Sequence, residues 1–207
     1  MKAAVFKGKG IIEVEEVEKP VCGENDVLLK VMAGGVCGTD VHIFEGSEGA
    51  TPVQPPIVLG HEFSGIVEEV GSSVKGFKVG DRVTVDPNNM CGSCWFCLNA
   101  KGHFCENMIC YGTKVNGGFA QYCAVHYKQL YRLEDHVSFE EGAFCEPVAC
   151  CLHGIDNCEI KTSDTVMVIG GGPIGLIMVQ LAKMSGAAQV VLLEPVEEKR
   201  ALGVSVG

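Results

Sequence analysis

From Thr165 the chain reads TVMVIGGGPIGLIMVQLAKMSGAAQVVLLEP: an apolar run, a glycine turn, an amphipathic helical stretch, a second turn and a second apolar run. Two strands joined through a helix lie parallel, because a tight hairpin can join only antiparallel ones. Gly170, Gly172 and Gly175 follow the first run directly and open the helix. Glycines so placed allow a tight turn, approach of backbone to a pyrophosphate and close helix-strand packing, while the helix N-terminus favours phosphate charge. Pro173 and Ile174 lie inside the same turn and count with these glycines as cofactor-binding. Glu194 ends the second run nineteen residues past Gly175. An acid there accepts bonds from ribose hydroxyls and repels a 2′-phosphate, which predicts NAD over NADP. No Arg stands directly beside it. The bland alternative is a glycine turn in an unrelated α/β sheet.

Before residue 150 the pattern differs. Short β segments (AVFKG, IIEVEEV, DVLLKVMAGG, FSGIVEEVG, DRVTVDP, GFAQYCAV) are punctuated by glycine, and predict a closed or nearly closed β structure with irregular loops. The fold class is therefore mixed α and β: a β domain over residues 1–153, then the beginning of a dinucleotide-binding domain over residues 154–207. A doubly wound domain needs about six strands. About 43 residues follow from Thr165, enough for two, so the second domain is expected to be incomplete.

Twelve cysteines would suit a disulfide framework in a secreted chain. Here no basic segment precedes an apolar run at Met1, and a cytoplasmic protein is expected. Four of the cysteines are bunched as Cys91-x2-Cys94-x2-Cys97-x7-Cys105, within a lobe spanning roughly residues 88–110. Closely spaced thiolates on a turning loop can wrap zinc tetrahedrally, predicting a closed structural site. An iron-sulfur cluster is the competing reading, but the Cys-Pro fourth ligand of bacterial ferredoxins is missing. His103 is an alternative donor in the same loop. A second, open set comprises Cys37 in GGVCGTDVH and His61-Glu62 in VLGHEFSG. A thiolate, an imidazole and a carboxylate suit a catalytic zinc that keeps one position free. Taken singly, each of these residues is more often a packed side chain than a ligand.

Sixteen Lys and Arg against 26 Asp and Glu give a formal charge of −10, the wrong sign for binding nucleic acid through its phosphates. No run reaches the ~20 apolar residues of a membrane span.

With these constellations in one order, the chain resembles the zinc-dependent medium-chain alcohol and polyol dehydrogenases, most closely the sorbitol and butanediol dehydrogenase branch. Cys37-Gly-Thr-Asp, Gly60-His61-Glu62, the four-cysteine lobe and Glu146-Pro147 carry the likeness. It implies a chaperonin-10-like (GroES-like) β domain bearing two zinc sites, followed by a Rossmann domain. It implies Cys37 and His61 as catalytic-zinc ligands, Glu62 as a neighbouring carboxylate and Glu146 in the third protein position, where ethanol-oxidising relatives carry cysteine. Cys145 is adjacent, but in extended chain its side chain would point away from that of Glu146. Thr39 would accept the substrate's proton and His42 would pass it toward solvent. Phe44 and Phe119 are pocket candidates by position. The implied partner is a small alcohol or polyol, with NAD as cofactor and a homo-oligomer when full length. Competing readings are a threonine-dehydrogenase-like enzyme, a zinc-free quinone reductase and a zinc-binding fragment without activity, the form in which this chain alone is expected to be inactive.

Overall fold

A computed structural model describes residues 1–47 and 52–207. In chain order the strands are β1 (Lys2–Gly8), β2 (Ile11–Glu16), β3 (Asp26–Gly35), β4 (Ile57–Val58), β5 (Glu62–Val70), β6 (Arg82–Val85), β7 (Asn88–Asn89), β8 (Ile109–Cys110), β9 (Tyr122–His126), β10 (Leu130–Arg132), β11 (Thr165–Ile169) and β12 (Gln189–Leu193). The helices are α1 (Gly38–Glu45), α2 (Trp95–Leu98), α3 (Phe139–Cys158), α4 (Pro173–Met184) and α5 (Glu197–Val206). The chain divides into two compact units, Met1–Cys145 and Glu146–Gly207.

In the first unit β10-β6-β5-β3-β9 form an antiparallel sheet and β2-β1-β4 a second one. The sheets are joined by the Ala3–Ala120 bridge and by the bond from Ala4 N–H to Phe119 O, 2.8 Å. Period-two burial makes the core: Val27 and Leu29 of β3, Phe63 and Val67 of β5, Val83 and Val85 of β6, and Cys123 and Val125 of β9 all turn inward. A smaller cluster of Phe6, Ile43, Ile57 and Leu59 packs α1 beside β1 and β4. Buried hydroxyls hold the first turn of α3: Ser64 Oγ donates to Phe139 O at 2.5 Å and Thr84 Oγ1 to Gly142 O at 2.6 Å.

One expectation is corrected here. Cys145 and Glu146 are helical, not extended, because α3 begins at Phe139. The start is written in Ser138-x-x-Glu141: Ser138 N–H donates to Glu141 Oε2 (2.7 Å) and Glu141 N–H to Ser138 Oγ (3.1 Å), a reciprocal cap. Pro147 sits inside the helix.

In the second unit β11 and β12 pair in parallel, Thr165 opposite Gln189 through Ile169 opposite Leu193, with α4 as the connection. Among the described residues no helix is long and apolar enough to cross a membrane.

Candidate metal centres and dinucleotide turn

Cys37 ends the stretch after β3 and immediately precedes α1. The start of α1 is set by Asp40, whose Oδ2 accepts from Cys37 N–H at 2.9 Å. His61 and Glu62 come from the junction of β4 and β5, where Gly60 takes φ +90°. Glu62 lies opposite Gly35 in the β3–β5 ladder, and its carboxylate folds across that glycine; a Cβ at 35 would lie 2.3 Å from Glu62 Oε2. The result brings one ligand atom each of Cys37, His61 and Glu62 within 4.8 Å of one another.

The donor set fits a metal. His61 has a side chain only 12% exposed, and Asp40 is 4% exposed. His61 Nδ1 and Asp40 Oδ1 face each other at 3.6 Å, both buried and neither hydrogen-bonded. That distance is too long for a hydrogen bond, so two polar atoms are left that a small closure of the ring toward Asp40 would satisfy. An Nδ1–H donated to Asp40 fixes the tautomer in which Nε2 offers its lone pair, the usual carboxylate-histidine arrangement behind a metal ligand. Burial holds the Cys37 thiol above its ordinary value, the Thr39 backbone N–H and hydroxyl pull it back, and the Glu62 and Asp40 charges raise it further. A thiol crowded by carboxylates in this way is relieved by a cation. Asp40 is the residue of the site that sequence reasoning missed, although Cys37-Gly-Thr-Asp carried the signal: an acid three residues past Cys37, the residue before the helix.

Thr39 is half-buried on α1 beside the Cys37 sulfur, and His42 is exposed one turn further on. Phe44 is 37% exposed. Phe119 is not a free pocket wall: it packs on the cluster of Phe6, Ile43, Ile57 and Leu59, with its ring over Gly60. Glu146 belongs to the second unit, where Cys150 Sγ lies 3.3 Å from its Oε1.

The four lobe sulfurs of Cys91, Cys94, Cys97 and Cys105 also lie within 4.8 Å of one another, and all four thiols are free. Cys91 and Cys97 sulfurs are 4.0 Å apart, close to the ~3.8 Å edge of a tetrahedron built on Zn–S bonds of about 2.3 Å. Backbone N–H groups of Ser93 and Cys94 aim at Cys91 and bring its thiol down to about 5. Cys97, desolvated and crowded by Cys94, is pushed up to about 12. Four sulfurs this close cannot all ionise without a cation among them. The cluster is made by the four sulfurs; the His103 ring lies 4.3 Å from that of Phe104.

At the dinucleotide turn Gly170 has φ +102° and its N–H donates to Leu193 O at 2.9 Å. Gly175 lets α4 close onto the strand, since a Cβ there would lie 1.8 Å from Gly170 O. Gly172 caps α4, Pro173 is its first residue and Ile174 is exposed. A Cβ on Gly172 would meet nothing within 4 Å, so a ligand's phosphates can approach the backbone there. Glu194 follows β12 and spans the turn: Oε2 accepts from Gly171 N–H at 2.6 Å and Oε1 from Val196 N–H at 2.9 Å. Those two bonds, Val196 first, hold its carboxyl below the usual range. The neighbourhood is less purely acidic than the sequence implied. Arg200 reaches back from α5 to donate to Glu194 O (2.8 Å) and Pro195 O (2.7 Å).

A β unit bearing two clusters of metal-ligand residues is thus followed by a β-α-β segment with a glycine turn and an acid after its second strand, the architecture of the GroES-like and Rossmann class. Residues 23–135 match the alcohol dehydrogenase GroES-like domain, and the chain belongs to that family. It is 38% identical over 94% of its length to sorbitol dehydrogenase of Bacillus subtilis, covering 56% of that protein. It is 37% identical over 94% of its length to L-threonine 3-dehydrogenase of Pyrococcus furiosus, again covering 56%. A solved structure from Sinorhizobium meliloti 1021, described as a zinc-binding dehydrogenase bound to NADP, superposes with a TM-score of 0.95 at 45% identity, covering all of this chain and 59% of that one. The chain thus spans a little over half the length of the relatives it matches.

Proposed function

We propose that the chain serves a zinc-dependent, NAD-linked oxidoreductase that takes hydride from a secondary alcohol or polyol. The observation that carries this is the meeting of Cys37, His61 and Glu62 donors within 4.8 Å, with a buried carboxylate behind the imidazole. Zinc bound there would supply Lewis acidity toward a substrate hydroxyl, and a nicotinamide the hydride acceptor. Cys37 and His61 hold the metal, Glu62 stands beside it, Asp40 orients His61, and Glu146 takes the third protein position. The Thr39 hydroxyl, already beside the Cys37 sulfur, accepts the substrate's proton, and His42 passes it toward solvent. Cys91, Cys94, Cys97 and Cys105 make a closed structural site with no position left for substrate.

Gly170, Gly172, Pro173, Ile174 and Gly175 receive the pyrophosphate, and Glu194 the adenosine ribose. The sorbitol and threonine dehydrogenase relatives favour a substrate with neighbouring polar groups, and Glu146 favours the polyol kind. The full-length protein is expected to work as a cytoplasmic homo-oligomer on a small alcohol, without nucleic acid or membrane.

Elemental analysis of the purified chain tests the metal reading. Two zinc ions per chain are expected, and one after Cys37→Ser. No zinc, or iron with acid-labile sulfide, overturns it. Zinc without any dinucleotide binding by a full-length form would leave a metal-binding module in place of an enzyme.

A further inference from the structure

We infer that the segment Gly112–Phe119, far from His61 in sequence, positions the His61-Glu62 pair, with Gly117 and Phe119 as its critical residues. The inference rests on the proposed role of His61 and Glu62 at the open metal centre. Three backbone bonds lay the segment along the approach to His61: Gly117 N–H to Val58 O at 2.8 Å, Phe119 N–H to Leu59 O at 3.0 Å and Gly118 N–H to Gly60 O at 2.8 Å. Asn116 adds a fourth by accepting Val58 N–H at 3.0 Å through Oδ1.

The Gly60 carbonyl belongs to the peptide that sets the direction of His61, and it is enclosed as well as bonded. A Cβ at Gly117 would lie 2.0 Å from that oxygen, and one at Gly112 2.5 Å from it. On the other side of the pair, a Cβ at Gly118 would lie 2.5 Å from the Phe63 ring. The Phe119 ring covers Gly60 so closely that a Cβ there would lie 2.4 Å from Phe119 Cδ1. His61 and Glu62 are therefore bracketed by Gly60 and Phe63, both gripped by one segment, which is itself tied to β1 through Ala4 N–H to Phe119 O. A side chain added at 117 has backbone in its way, so the peptide before His61 must turn. Loss of the ring at 119 frees that peptide instead.

The test compares Gly117→Ala and Phe119→Leu with Gly76→Ala. Gly76 has φ +90° with open space around it, so its replacement strains the fold without touching the segment. Zinc per chain after dialysis against a chelator is measured together with thermal unfolding. Expected results are one zinc for Gly117→Ala, unchanged by adding Cys37→Ser, and chelator-accelerated loss of one zinc by about tenfold for Phe119→Leu, the size of effect seen when support behind a ligand is removed. Gly76→Ala should lose thermal stability and keep both. Two firmly held zinc ions in Gly117→Ala and Phe119→Leu, or equal losses in all three variants, overturn the inference. If Gly117→Ala does not fold, Phe119→Leu alone decides. A parent chain whose zinc is indifferent to Cys37→Ser overturns the metal reading itself, and the inference with it.

Discussion

Replacing Asp40 by Asn keeps the shape of a buried side chain and removes an acceptor. The carboxylate accepts from Cys37 N–H at 2.9 Å on Oδ2 and turns Oδ1 toward the His61 ring, 3.6 Å away, within a small closure of a second bond. An amide has a single acceptor oxygen and two N–H donors. Whichever way it is turned, one of the two partners faces an N–H. If the oxygen stays on Cys37 N–H to keep the start of α1, the amide nitrogen faces His61 Nδ1 and drives the ring toward the tautomer whose Nε2 carries the hydrogen and cannot bind metal. A hydrogen bond to a charged acceptor is worth about 1.5–3 kcal/mol and a neutral one about half as much. The expected loss, the difference between the two, is therefore about 0.8–1.5 kcal/mol, or about 4- to 12-fold in metal affinity at about 1.4 kcal/mol per tenfold. Competition with a graded series of chelators measures it, and the zinc of the four-cysteine lobe, in the same chain, is the internal reference. Weaker retention of one zinc ion and unchanged retention of the other is the expected result. Equal retention of both would refute the assignment of Asp40 to His61, and loss confined to the lobe would refute the metal assignments altogether.

Cys94→Ala should remove the lobe's zinc and leave the Cys37-dependent one, as metal analysis and thermal unfolding together will show; structural zinc in small sites contributes roughly 10–16 kcal/mol of apparent binding energy at pH 7. In full-length protein Glu146→Ala should weaken retention of the catalytic zinc while Cys145→Ala leaves it alone, and the reverse pattern would move the site to the cysteine-liganded kind. Titration of full-length protein with both cofactors should show NAD preferred through Glu194; preference for NADP would hand the ribose end of the site to Arg200. Ser138→Ala should cost about 1 kcal/mol by loss of the α3 cap, read as a lower melting temperature. Since Glu141 sits below its ordinary value through the Ser138 N–H, its share of that cap is present above the usual carboxylate range and is lost as pH falls through the lowered one.

What the sequence made legible depended on how far each signal reached along the chain. The β11-α4-β12 segment was readable almost to the residue, because strand, glycines, helix and second strand are consecutive and each local preference agrees with the next. Strand β3 likewise runs over Asp26–Gly35, the span of DVLLKVMAGG. The lobe was readable for the same reason, its four sulfurs falling within fifteen residues. The two-residue strands β4, β7 and β8 carry no period that a pattern could find: β4 exists because the longer β1 offers it a partner, and β7 and β8 pair with each other across the four-cysteine lobe. The start of α3 is carried by Ser138-x-x-Glu141, a short capping signal that lies eight residues before Glu146.

The open metal centre shows where local reading stops. Cys37 and Glu62 meet because Gly35 stands opposite Glu62 in an antiparallel ladder, a register that nothing in either segment states alone. Asp40 could be read as a helix-starting acid, but not as the neighbour of an imidazole 21 positions away. The dependence of His61 on Gly117 is remoter still. Its only trace in the sequence is a pair of glycines before Phe119, and glycines are informative solely through what would collide with them. A residue type can announce chemistry from its own position. The support that makes the chemistry possible becomes visible only when the fold shows which space must stay empty.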